Sequence, residues 1–189
     1  MSVNERAAGT PATGIVGALL RRAARVTLRL LPQHLPTRAG SAVCAVTSAA
    51  VLAYVRRSVT AGGLAAGANA VINLVPDTIR PIPPAYDPDQ QRLASWIVAW
   101  SKGKKLQATC LPRALALWAV LQADGYPAVF CMGASNRSVS EPSHAWVECD
   151  GEPVLEGEDP RERFTRFELN GFYPPRLVGP TQCTEAEVR

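Results

Sequence analysis

Cys110 stands where an apolar helical run begins, and His144 opens a short alternating segment 34 residues later. A thiol at a helix start lies among unpaired N–H groups and the positive end of the macrodipole, which favour its anion. An imidazole on a neighbouring strand is the usual base that completes such a nucleophilic pair. The chain holds two histidines, and the other, His34, is fenced by Pro32 and Pro36 in a basic stretch far from any nucleophile. Cys44, Cys131 and Cys149 fall inside apolar or strand patterns, where free cysteine packs as a small hydrophobe. Cys110 falls at a junction instead. The pair predicts a hydrolase or acyl-transfer site with Cys110 as nucleophile and His144 as base.

Such a base needs a third group to orient it. From His144 to Cys149 the side chains alternate, so His144, Trp146 and Glu148 share one face of a strand. Cys149-Asp150-Gly151 reads as a three-residue hairpin loop, a type I turn with Gly151 left-handed. That register sets Glu148 against Glu152 and His144 against Glu156, making Glu156 the expected orienter. A two-residue Asp150-Gly151 turn would instead set Ala145 against Glu156 and aim the carboxylate at the opposite face. Glu158 and Asp159 are the fallback orienters. Glu148 is expected to meet solvent or Arg113, and Gln107 is near enough in sequence to offer an oxyanion donor.

Several elements must position these groups. Residues 15–31 read as an amphipathic helix, with Ile15, Leu19, Ala23, Val26 and Leu30 on one side and Arg22, Arg25 and Arg29 on another. A second helix is expected over 41–57 and a poorer third, weakened by Gly62, Gly63 and Gly67, through residue 75. Five prolines between 76 and 88 mark an extended linker. The predicted organisation is therefore a helical, Arg- and Ala-rich region over 1–75, a linker over 76–88 and a second domain over 89–189. That domain opens on a helix with Leu93, Trp96, Ile97 and Trp100 in one stripe. Thr109 or Cys110 caps the next helix, Pro112 sits in its first turn and Gly125 follows its end. This helix is apolar nearly all round, so it belongs at the centre of its domain. A strand over 129–132 and a polar loop over 135–143 follow.

Composition narrows the class. At 189 residues and 47% hydrophobic residues the chain can bury a sizeable core. Residues 1–60 carry eight basic groups against one acid, and residues 114–189 carry six against twelve. A basic front of this kind could dock an acidic partner, a peptide or a lipid surface, and equally could be an Arg-rich solvated helix face. Five scattered cysteines, Cys183 included, with no C-x-x-C pair and two histidines fit neither a disulfide framework nor a zinc site. No metal or cofactor is expected, and a reducing, cytoplasmic setting is. Arg21, Arg22, Arg25 and Arg29 interrupt the first apolar stretch, which does not read as a secretory signal. The uncharged runs 39–55 and 58–76 are rich in Ala, Gly, Ser and Thr, and read as buried or interfacial helices rather than spans.

At these residues the chain resembles the transglutaminase-like cysteine peptidases that remove leader peptides in lasso peptide biosynthesis. The likeness rests on Cys110-Leu111-Pro112-Arg113, then His144-Ala145-Trp146-Val147-Glu148, then Asp150-Gly151 and Glu156, and covers roughly residues 90 to 170. It implies an α+β fold, in which a central helix bearing Cys110 packs on an antiparallel sheet bearing His144 and Glu156, behind a helical N-terminal region. The family's third member is often Asp; here it is Glu. Some members carry an N-terminal winged-helix recognition domain, which residues 1–75 do not resemble. The likeness therefore implies a split system: a separate recognition protein presents the precursor's leader, this chain cuts it, and a ring-closing cyclase acts afterwards. Acyl transfer to an amine on the same three residues is the first alternative. A non-catalytic scaffold using the basic helices as a contact surface is the second.

Overall fold

A computed structural model describes residues 18, 19, 22, 37–75, 88–104, 106, 108–123, 125–136 and 142–167. Most of the predicted 15–31 helix, His34, Gln107, Cys183 and residues 76–87 of the predicted linker lie outside that set. Three α-helices are described: α1 (Thr37–Leu74), α2 (Pro88–Lys102) and α3 (Cys110–Ala123). Four strands follow: β1 (Ala128–Ser135), β2 (Ser143–Cys149), β3 (Glu152–Pro153) and β4 (Phe164–Arg166), with a 3-10 turn at Pro160–Glu162. They form one antiparallel sheet in the order β3-β2-β1-β4. The fold is α+β.

The two helices expected over 41–57 and up to 75 are the two arms of α1, parted by a kink where Gly62 and Gly63 leave helical geometry. Its first arm continues past residue 57, and there Ser58 and Thr60 turn their hydroxyls onto the carbonyls of Tyr54 and Arg56 (3.0 and 2.9 Å), one turn back, which satisfies both side chains within the helix. By length and composition alone, Ala42–Leu74 could cross a membrane. In this fold it supplies core: Val51, Leu52, Val55 and Val71 are wholly buried. They belong to one cluster with Ile97 of α2, Leu115 and Trp118 of α3, and Ala145 and Val147 of β2. Ser48 Oγ donates to the Leu93 carbonyl (3.1 Å) and Trp100 Nε1 to the Ala45 carbonyl (2.9 Å), pinning α2 on α1. A single core thus runs across both sides of the predicted linker.

α3 lies at the centre, as its all-round apolarity requires; every residue from Ala114 to Ala123 is buried. Its polar groups are satisfied locally. Trp118 Nε1 and Gln122 Nε2 both donate to the Ala128 carbonyl, at 3.0 and 2.7 Å. The helix stops in a Schellman arrangement, with Gly125 N–H on the Gln122 carbonyl and Tyr126 N–H on that of Leu121.

The hairpin after β2 corrects the expected register. Glu148 pairs with Pro153 and Cys149 with Glu152, so the loop is two residues, not three. Asp150 and Gly151 both have positive φ, 52° and 80°, which matches a type I′ turn. This turn follows the right-handed twist of the strands, and Asp-Gly is among the dipeptides that adopt it most readily. Glu156 therefore does not face His144 across a ladder. β3 ends at Pro153, Val154 N–H still reaches the Val147 carbonyl (2.8 Å), and Leu155 then swings into the left-handed region at φ 55°. That break re-aims the following residue.

Candidate active site

Arg113 N–H reaches the Thr109 carbonyl (3.3 Å), which makes Thr109 the N-cap and Cys110 the first helical residue. Pro112 then falls in the first turn, where its missing N–H costs nothing. Cys110 is half-buried, while Cys44, Cys131 and Cys149 are buried. The surroundings drive two of these thiols apart. Cys110 is held below the ordinary thiol value chiefly by its hydrogen bond with His144, opposed by burial and assisted by the backbone at Ala145 and Leu111. Cys149 is pushed up to about 12, first by burial and then by Asp150.

His144 is raised to about 9, first by the hydrogen bond to Cys110, next by that to Glu156, against burial. Nε2 lies 3.3 Å from Glu156 Oε2, which leaves Nδ1 to meet the sulfur. Two other rings stack with it: Phe164 at 5.0 Å between centroids and Trp146 at 6.2 Å. The structure thus brings Cys110, His144 and Glu156 into one hydrogen-bonded chain, from α3 through β2 to the segment after β3. A thiol, an imidazole and a carboxylate in this order are the groups that can supply a thiolate for attack on a carbonyl carbon.

Glu156 is fixed from a second side. Arg113 Nη2 donates to Oε1 at 2.8 Å and to Oε2 at 3.1 Å. Glu148, expected to meet solvent or Arg113, does neither. It is buried and accepts from Trp146 Nε1 (2.8 Å) and from Arg166 Nη1 (3.2 Å), whose side chain reaches over from the edge strand β4 on the far side of β1. The fallback carboxylates are occupied elsewhere. Asp159 caps the 3-10 turn and binds the Arg161 guanidinium, and Glu158 lies 3.4 Å from Arg163. With His144, Glu156 and Phe164, both line an open cleft of about 340 Å³. Among the described residues, no cluster of three His, Cys, Asp or Glu is placed to hold a metal ion.

Sequence reasoning missed Phe164, Leu155 and Gly133, and gave Arg113 the wrong partner. Arg113 was within reach, since three residues along a helix from Cys110 means the same face. Phe164 had no local signal. Gly133 pairs with His144 on one side and Arg166 on the other, and a Cβ there would lie 2.6 Å from the Thr165 carbonyl oxygen. Its missing side chain lets β4 close and bring Phe164 onto the imidazole. Gly133→Ala should lower unfolding free energy in urea by about 1–3 kcal/mol, the usual cost of overpacking.

The sequence model of the transglutaminase-like superfamily matches residues 63–168, more than half of the chain and all of the site. No curated protein and no solved structure matches it.

Proposed function

The chain belongs to the transglutaminase-like superfamily, which includes cysteine peptidases and acyltransferases, and from that premise we propose that it is a cysteine peptidase removing the leader from a lasso peptide precursor. The observation that carries this reading is the Cys110–His144–Glu156 chain of hydrogen bonds, joined to the His144-Ala145-Trp146-Val147-Glu148 string of the leader peptidases. The Cys110 thiolate attacks the carbonyl carbon of the leader's last residue, and backbone N–H groups at the start of α3 receive the oxyanion. His144 gives its Nδ1 proton to the departing amine, which frees the core peptide and leaves the leader as a thioester on Cys110. His144 then takes a proton from water, hydroxide adds to the thioester, and the thiolate leaves. Glu156 holds the imidazole ring throughout.

In this reading a separate recognition protein presents the leader, a cyclase consumes the freed core, and the work is done in the cytoplasm. The test is reconstitution of the purified protein with a leader-bearing precursor and that recognition protein, followed by mass spectrometry. Loss of the leader's mass with gain of one water is expected. A product carrying an added amine would make the protein an acyltransferase, and an unchanged precursor would leave a scaffold.

A further inference from the structure

We propose that Arg113 is a positioning residue that holds Glu156 in place behind His144, a task the hairpin register leaves undone. The inference rests on the Cys110–His144 pair being the reactive centre, not on which acyl group it attacks.

Three observations carry it. First, the two-residue turn removes Glu156 from the strand ladder, and the chain reaches the imidazole only after Leu155 turns left-handed. A carboxylate on such a segment lacks the fixed register that a paired strand would impose. Second, one Arg113 nitrogen straddles both oxygens, at 2.8 and 3.1 Å, closer than the 3.3 Å contact to His144. Both side chains are largely buried, at 19% and 13% exposure, where a charge-assisted bond is screened less than at the surface. Third, Arg113 lies on α3 one turn beyond Cys110. One rigid helix therefore places the sulfur and anchors the acid, so both sides of the imidazole are referenced to a single element.

Arg113 acts through Glu156. Without it the carboxylate gains rotational freedom, its bond to Nε2 weakens, and the imidazolium loses support. The thiolate–imidazolium window then narrows from both ends. A merely structural role would lower stability without moving that window.

Iodoacetamide alkylation of Cys110 in the full chain, followed by peptide mass between about pH 5 and 10, reads the window with no substrate. Arg113→Gln should slow alkylation near pH 6 by roughly tenfold, about one pKa unit of thiolate. Arg113→Lys keeps the charge but carries its nitrogen on a shorter, more flexible stem, and should lose roughly threefold. In a Glu156→Gln background either substitution should change the rate by less than about twofold, since the group they act through is already altered. An undiminished loss in that background overturns the proposal, as does a wild-type profile in Arg113→Gln. If Arg113→Gln does not fold, Arg113→Lys alone and with Glu156→Gln makes the same comparison. A wild-type Cys110 no faster than an ordinary thiol would sink the reactive-centre reading itself; a fast wild type with indifferent variants sinks only the role of Arg113.

Discussion

In the proposed peptidase reaction, leader removal by a Cys110→Ala variant should fall by on the order of 10⁴-fold or more, to the level left by binding and oxyanion contacts alone. The size follows from the chemistry. Every bond-making step passes through the sulfur, and His144 can activate water in its place only from a geometry built for a thiol. The substitution should be benign for the fold, because Cys110 lies only half-buried at the first position of α3 and alanine is a strong helix former. A Tm within a few degrees of wild type would separate lost chemistry from lost structure. Glu156→Gln should fall between, by roughly 10 to 10³-fold in kcat with KM little changed. The amide keeps the size but loses the charge that supports the imidazolium. Single-turnover assays with the reconstituted precursor give both numbers. Activity surviving in Cys110→Ala would remove the mechanism, and full activity in Glu156→Gln would return the orienting role to Glu158 or Asp159.

What the sequence disclosed and what it hid divide along the range of the interactions. Cys110 and His144 were legible because their signals are local: a cap and a proline at a helix start, and strict alternation on a strand. The burial of α3 followed from its lack of any polar face. Glu156 was found for the wrong reason. The three-residue loop expected at Asp150-Gly151 would have set it opposite His144, yet the chain makes a two-residue turn and corrects the aim with a left-handed leucine. Few non-glycine residues take that conformation, and no pattern announces that Leu155 does. Its strain, stored beside the reactive groups, is of a kind that concentrates at functional sites. Phe164 and Gly133 depend on β4 pairing with β1 across some thirty residues, which no local window reports. The linker reading shows the same limit. Prolines predict an extended segment, but not whether the elements either side share a core, and here the described ones do.

His144→Ala should slow alkylation of Cys110 near pH 6 by roughly 10 to 100-fold, because an ordinary thiol with a pKa near 8.5 is almost wholly protonated there. The same pair leaves a mark on stability that needs no reagent. His144 is raised from 6.5 to about 9, so its contribution is complete below 6.5 and is lost as pH climbs through 9. Cys110 is lowered from 9.0, so its contribution is complete above 9 and is lost as pH drops through its folded value. Between 6.5 and 9 the two changes oppose each other: the contribution of His144 shrinks as pH rises and that of Cys110 grows. Urea titrations of wild type and His144→Ala from pH 5 to 10 isolate the pair, since the other ionisable groups are common to both. The stability difference between the two proteins is expected to change with pH. A constant difference would mean that the proton stays on sulfur, and that the pair is hydrogen-bonded but not ionised.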